Sequence, residues 1–310
     1  VKRILVTPRS LSLDPPPELE PLRQAGFELV FPTPGRMPGE AELIGLVPGC
    51  IGWLAGVEPV SDKVIAAADS LRAISRNGTG IDNLPLPLLK ERGIGILKAE
   101  GANAVGVAEL SVGLMLAALR HIPAETAGIR AGGWPRSRGR EIAERTVGII
   151  GCGAIGKRVA RAVSAMRASV IACDPFRPNV EVYGPFKWAS LDEVFAGADI
   201  VSLHCPAPAD GKPIVDAPRL ATVPPHAILI NTARATLVDE DAVRAALDKG
   251  RLQAYATDVF TTEPPAPGSL ASHPRVIATS HIGGLTDESV GKATKIAVAN
   301  LLSALVEETA

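Results

Sequence analysis

A chain of 310 residues with 46% hydrophobic and 21% charged residues carries enough apolar material for two ordinary domains, each with its own core. Its formal net charge of −1 gives no electrostatic reason to expect nucleic acid or an anionic membrane as partner. No run approaches the ~20 apolar residues that cross a bilayer, and residues 1–7, VKRILVT, read as a first strand rather than a secretory signal. The expectation is a cytoplasmic globular protein.

Taken in order, short apolar runs alternate with helical patterns, the signature of parallel sheets with helices on both faces. The first strands are expected at Ile4–Thr7, Glu28–Phe31, Cys50–Leu54, Ala73–Ser75 and Gly95–Leu97. After the fourth comes Arg76-Asn77-Gly78-Thr79-Gly80-Ile81-Asp82-Asn83, whose backbone N–H groups can form a nest for a carboxylate. The plainer reading is an ordinary glycine turn. A long helix is expected over Val105–Leu119. An arginine-rich stretch follows, with Arg130, Arg136, Arg138, Arg140 and Arg145, and reads as a solvated connector rather than an anion site. Proline-rich pieces at 14–17 and 264–267 read as loops.

Residues 147–174, VGIIGCGAIGKRVARAVSAMRASVIACD, spell strand, tight turn, helix and second strand ending in an acid. Val147–Ile150 is the buried strand and Gly151-Cys152-Gly153-Ala154-Ile155-Gly156 the turn, with the helix over Lys157–Met166 and the second strand over Val170–Cys173. In such a turn the first glycine makes the bend and the second admits backbone N–H groups to a pyrophosphate. The third lets helix and strand pack closely. The helix N-terminus adds its positive dipole end. Asp174 can accept both hydroxyls of an adenine ribose and repels a 2′-phosphate, so the expected cofactor is NAD. Arg177, three residues on, is the one neighbour suited to a 2′-phosphate.

Further strands are expected at Ile200–Leu203, Ile228–Ile230, Ala254–Thr257 and Val276–Ala278, then a last helix over Ser289–Glu307. Eleven strands exceed one doubly wound sheet of five or six. The fold class is therefore α/β with two doubly wound parallel-sheet domains, and an interdomain cleft is a natural place for a ligand. The terminal helix has no strand after it and is expected to return to the first domain. That gives a discontinuous substrate-binding domain, 1–99 plus 285–310, and a nucleotide-binding domain, 100–284. Four cysteines, at 50, 152, 173 and 205, form no C-x-x-C pair and show no metal-ligand spacing; they read as small buried residues of a reducing compartment.

Ligands of doubly wound sheets bind at the carboxyl ends of strands. Three such ends carry chemistry: Asn231-Thr232-Ala233-Arg234, Asp258-Val259-Phe260-Thr261-Thr262-Glu263-Pro264 and Ser280-His281-Ile282-Gly283-Gly284. Each alone has a plain reading: a surface ion pair, a turn before proline, a helix-capping histidine. Arg, Glu and His at three consecutive strand ends suit hydride transfer. A neutral His281 takes the hydroxyl proton and returns it in reduction, and Glu263 orients the imidazole. Arg234 holds a carboxylate and polarises the adjacent carbonyl.

With these motifs in view, the chain resembles the D-isomer-specific 2-hydroxyacid dehydrogenases, including phosphoglycerate dehydrogenase without its regulatory C-terminal part. The carriers, spread over nearly the whole chain, are RNGTGIDN at 76–83, GCGAIG at 151–156, Asp174, LHCP at 203–206, NTAR at 231–234, DVFTTEP at 258–264 and SHIGG at 280–284. The resemblance implies an NAD-dependent oxidoreductase acting on a small 2-hydroxy or 2-oxo acid, with Arg234, Glu263 and His281 as its catalytic set. It implies Arg76, Asn77, Gly78, Thr79 and Gly80 at the substrate. Gly151, Gly153, Ala154, Ile155, Gly156 and Asp174 would bind the cofactor. So would His204, Cys205, Pro206, Thr232, Ala233, Asp258 and Gly283. It also implies a homodimer built largely through the nucleotide domains, partly by the segment between the two folds.

Departures bear on the substrate. Ala235-Thr236 replace the usual two glycines after NTAR, and Ser280 replaces the usual proline before the histidine. Phosphoglycerate dehydrogenases typically carry an arginine near the GWLAG segment, and none stands between residues 37 and 71 here. 3-Phosphoglycerate dehydrogenase is thus the alternative rather than the favoured activity. Formate and phosphite oxidation on the same fold are disfavoured by Glu263, where formate enzymes have glutamine, and by Arg76, where phosphite enzymes need lysine. A rival of another class is an NAD(H)-sensing corepressor-like protein, ranked low because this chain has no extra tails.

Overall fold

Apolar runs that are buried from both sides form parallel sheets, and this chain forms two of them in a computed structural model that describes residues 2–306. The first contains β1 (Arg3–Val6), β2 (Glu28–Val30), β3 (Cys50–Ala55), β4 (Ala73–Arg76) and β5 (Gly95–Lys98), in the order β2-β1-β3-β4-β5. The second contains β6 (Thr146–Ile150), β7 (Ser169–Cys173), β8 (Phe186–Trp188), β9 (Ile200–Leu203), β10 (Ala227–Asn231), β11 (Leu252–Thr257) and β12 (Val276–Ala278). Its order is β12-β11-β10-β9-β6-β7-β8. All pairings are parallel. The α/β, doubly wound class is as expected. The strand count is not, because β8 is additional to the eleven strands expected.

The chain divides into two compact units, Val1–Asn103 with Thr286–Ala310, and Ala104–Leu285. In the first, Leu5, Trp53, Ile65, Ile74 and Leu89 fill one face of the sheet. Ile4, Leu54, Leu19 and Leu22 fill the other, together with Leu301 and Leu305 of the terminal helix Asp287–Val306. That helix contacts β3, β4 and β5, which is why a discontinuous segment completes the unit. By length and composition it is apolar enough to span a bilayer, a correction to the expectation that no run came near. Seven of its residues are nevertheless buried, and it carries Asp287, Glu288, Lys292 and Lys295, so it is a packed core helix. Glu307, placed in this helix by the sequence, lies outside the described residues.

In the second unit, helices Ala104–Leu119 and Gly156–Ala165 cover one face through Leu114, Met115, Val159 and Val163. Helices Leu191–Gly197, Ala217–Thr222 and Glu240–Asp248 cover the other through Phe195, Leu220, Val243 and Leu247. A further helix, Ile122–Arg130, has no buried residue. After it the arginine-rich stretch runs without regular structure to β6. Arg140 donates to the His226 carbonyl at 2.5 Å and Arg145 pairs with Asp199 at 3.9 Å, while Arg136 and Arg138 are exposed, as suits a connector.

Each sheet has one place where neighbouring strands lead the chain in opposite directions, and there the loops splay apart at the carboxyl ends. In the first sheet it lies between β1 and β3, in the second between β6 and β9.

Candidate active site

Gly151 opens the glycine loop at the carboxyl end of β6 with φ +91, and a Cβ there would stand 2.7 Å from the His204 carbonyl after β9. Only glycine allows β6 and β9 to close so tightly. A Cβ on Gly153 would meet nothing within 4 Å, so its backbone borders open space. The helix that starts at Gly156 has no side-chain cap; Lys157 N–H donates to the Gly153 carbonyl at 3.2 Å and Arg158 N–H to the Ile155 carbonyl at 2.9 Å, so what this terminus offers an anion is chiefly its positive dipole end. Asp174 reaches back over the loop, with Oδ2 accepting from Cys152 N–H at 2.7 Å and Oδ1 from Phe176 N–H at 2.9 Å. Each oxygen keeps a lone pair for a ribose hydroxyl. An open glycine turn beside an acid with spare lone pairs fits a dinucleotide. Arg177 is exposed, with φ +42.

His204 follows β9 and is buried enough that its pKa is pushed down to about 3. The ring is neutral at any physiological pH. Its Nε2 meets Ser202 Oγ at 2.9 Å, while Nδ1 is buried without a protein partner, an orphan that a ligand group can satisfy. The thiols around this turn are inert. Burial pushes Cys152 up to about 12 and Cys205 up to about 11. Cys50 and Cys152 are buried, whereas Cys173 and Cys205 are only partly covered, against the expectation that all four were.

The catalytic candidates stand on three adjacent strands, β10, β11 and β12. After β10, buried Asn231 shapes the turn: its Oδ1 accepts from Ala233 N–H at 3.1 Å and its Nδ2 donates to the Arg234 carbonyl at 2.9 Å. Arg234 leaves this turn extended, and its Nη1 donates to the Ala233 carbonyl at 2.8 Å. Thr232 Oγ1 meets Ser111 Oγ of helix Ala104–Leu119 at 2.8 Å. After β11, Glu263 faces His281, whose Nδ1 lies 3.0 Å from Oε1 and 2.9 Å from Oε2. The His281 and Glu263 side chains are 56% and 41% exposed, so a ligand can reach them.

Asp258 holds this arrangement together. Its buried carboxylate accepts from Thr279 Oγ1 at 2.6 Å, Ile282 N–H at 2.8 Å and Gly283 N–H at 2.8 Å. It thereby clamps both sides of His281, whose own φ is +56. Sequence reasoning gave Asp258 and Gly283 to the cofactor and missed this clamp, as it missed Ser111 and Ser202. Their partners lie on other strands or helices, and no local pattern marks them.

In the first unit, Arg76 ends β4 and is 7% exposed, with Nη1 donating to the Asn77 carbonyl at 3.1 Å. The loop after it is a smaller nest than expected. Asn77 N–H is spent on the Ala55 carbonyl at 2.8 Å and Gly78 N–H on the Arg76 carbonyl at 2.8 Å. The N–H groups of Thr79 and Gly80 have no backbone acceptor.

Residues 112–283 match the family model described as D-isomer specific 2-hydroxyacid dehydrogenase, NAD binding domain. A hydroxypyruvate reductase of Thermotoga maritima is 37% identical over 235 residues, covering 74% of this chain and 76% of that protein. A D-3-phosphoglycerate dehydrogenase of Methanocaldococcus jannaschii is 36% identical over 255 residues, covering 81% of this chain and 49% of that protein. The chain thus spans about half the length of the phosphoglycerate dehydrogenases it matches. The crystal structure of a Thermus thermophilus protein, TT0316, superposes with a TM-score of 0.87 at 32% identity, covering 98% of this chain and 97% of that one.

Proposed function

The chain belongs to the D-isomer specific 2-hydroxyacid dehydrogenases, NAD-dependent oxidoreductases, and on that premise we propose that it interconverts a small 2-oxoacid and its D-2-hydroxyacid with Arg234, Glu263 and His281 as the catalytic set. The observation that carries this reading is the two-oxygen contact between Glu263 and His281 Nδ1. With Nδ1–H held by the carboxylate, Nε2 is the atom left to exchange a proton with the substrate oxygen. Arg234, always charged, holds the substrate carboxylate as a fork and draws electron density from the adjacent carbonyl. Asp258 keeps the His281 backbone in place.

The nicotinamide, when bound, supplies or accepts the hydride at substrate C2. Gly151, Gly153, Ala154, Ile155, Gly156 and Asp174 would hold the dinucleotide, with His204, Cys205, Pro206, Thr232, Ala233 and Gly283 along its length. The unit Ala104–Leu285 is then the NAD-binding domain and the other unit the substrate-binding domain, with Arg76, Asn77, Gly78, Thr79 and Gly80 at the substrate. The four free cysteines suit the cytoplasm.

The reading extends to a homodimer through helix Ile122–Arg130 and the strap after it, where Ile122, Ile129 and Trp134 are 51%, 54% and 79% exposed. Light scattering is expected to give twice the chain mass, reduced by Trp134→Glu. A monomer at micromolar concentration would refute it.

Activity is tested by NADH oxidation at 340 nm with glyoxylate, hydroxypyruvate, pyruvate, longer 2-oxoacids and phosphohydroxypyruvate. Turnover is expected with at least one, and His281→Ala is expected to lower kcat by ~10²–10⁴. NADH binding without turnover on any of them would replace this reading by that of a sensor.

A further inference from the structure

At the turning point of the first sheet, between β1 and β3, a charged cluster lies buried. Glu58 is 1% exposed, which is rare for a carboxylate unless its environment compensates. Oε1 accepts from the Thr7 hydroxyl and from Gly56 N–H, the latter at 2.9 Å. Thr7 in turn accepts from the indole N–H of buried Trp53 at 2.8 Å. Oε2 lies so close over Gly56 that a Cβ there would stand 2.5 Å away. Glycine at 56 is what leaves the carboxylate this space.

Arg76 is the matching cation. Arg76 pairs with Ala55 across β3 and β4, three residues short of Glu58, and Asn83 Nδ2 donates to the Gly56 and Glu58 carbonyls at 3.3 and 2.7 Å, so Arg76, Glu58 and Asp82 share one corner. Both carboxylates favour the charged guanidinium, against a burial that disfavours it. Its guanidinium packs over Gly78, where a Cβ would stand 3.2 Å from Nη1. Its Nε is buried and has no partner in the protein. The unmade Nε donor leaves one hydrogen bond that an oxyanion can take, against the two carboxylates already nearby.

The cluster limits what that oxyanion can be. One cation faces two carboxylates before any ligand arrives, so every further negative charge is opposed by the surplus. A planar carboxylate adds one charge, and a phosphate group above its second ionisation adds two. We infer that Glu58 makes this end of the first sheet a site for a singly charged carboxylate and turns away phosphate, so that the substrate is an unphosphorylated 2-oxoacid. This rests on the dehydrogenase reading, with Arg76 as a substrate-facing cation. Glu58 itself acts through Arg76 and is a charge-selecting residue rather than a catalytic one.

The test is calorimetry on the full chain saturated with NADH at pH 8, titrated with oxamate and, separately, inorganic phosphate. Wild type is expected to bind oxamate at least tenfold more tightly than phosphate. Glu58→Gln, which keeps shape and acceptor, is expected to narrow that gap at least tenfold by strengthening phosphate binding. Glu58→Asp, which keeps the charge, is expected to preserve it; a merely structural role would not sort the variants by charge. In parallel, kcat/KM should favour hydroxypyruvate over its 3-phosphate, and by less in Glu58→Gln. Phosphate binding as tightly as oxamate in wild type, or a gap unchanged in Glu58→Gln, overturns the inference. The first of these needs no variant to fold. Absence of turnover with every 2-oxoacid of the panel would instead sink the dehydrogenase reading, while the calorimetry still decides this one.

Discussion

The imidazole of His281 can work only if it is held, and its own side-chain partner does not hold the backbone. Glu263 fixes the ring through Nδ1; Asp258 fixes the peptide on either side through the Thr279 hydroxyl and the N–H groups of Ile282 and Gly283. Asp258→Asn keeps the size but exchanges one acceptor for an NH₂ group that faces donors. Leaving buried donors unpaired costs about 1–3 kcal/mol. The variant is expected to melt several degrees lower and to lose at least tenfold in kcat, because small displacements of a catalytic group are expensive. Thermal melting and steady-state kinetics measured side by side check this. An Asp258→Asn enzyme with wild-type Tm and kcat would show that the clamp is idle.

At the scale of elements, the glycine turn is where the backbone itself carries function. Gly151→Ala sets a Cβ against the His204 carbonyl in a left-handed conformation that L side chains rarely adopt. The variant is expected to weaken NADH binding at least tenfold, seen by fluorescence titration, and to lower Tm. Unchanged affinity would mean that the turn does not set the cofactor's approach. That turn was readable because strand, glycines, helix and acid keep their spacing in one short stretch. Eleven of the strands were equally readable as apolar runs. β8 escaped because Phe186-Lys187-Trp188 is three residues with a lysine at its centre, so it makes no apolar run. Helix Ile122–Arg130 escaped for a related reason, since it buries nothing and contains Pro123 and Gly128. Arg234, Glu263 and His281 could be read as strand ends. The Asp258 clamp, the Ser111–Thr232 contact and the Glu58 seat could not, because each joins buried polar groups distant in sequence.

For the whole molecule, the buried titratable groups give the two units opposite responses to acid. His204, in Ala104–Leu285, has its pKa pushed from 6.5 down to about 3 by burial, so the folded state refuses a proton that the unfolded chain accepts. Its contribution is complete above pH 6.5 and is lost as pH falls toward 3, at up to about 1.4 kcal/mol per pH unit. Glu58, in the other unit, is pushed above the usual carboxylate range, again chiefly by burial. Its contribution is complete below pH 4.5 and is lost as pH rises through its folded pKa. Surface carboxylates held low by hydrogen bonds occur in both units, Glu40, Glu42 and Asp69 in one and Glu125 and Glu193 in the other, and their loss in acid is common to both. Between pH 5 and pH 3 the nucleotide unit is therefore expected to open first. Brief pepsin digestion of the full chain across that range, with cleavage sites mapped by mass spectrometry, should find early cuts within 104–285. His204→Gln, which removes the titrating ring, should shift those cuts to lower pH. Simultaneous cleavage of both units in wild type, or cuts in the variant at an unchanged pH, would show that burial of His204 does not govern acid stability.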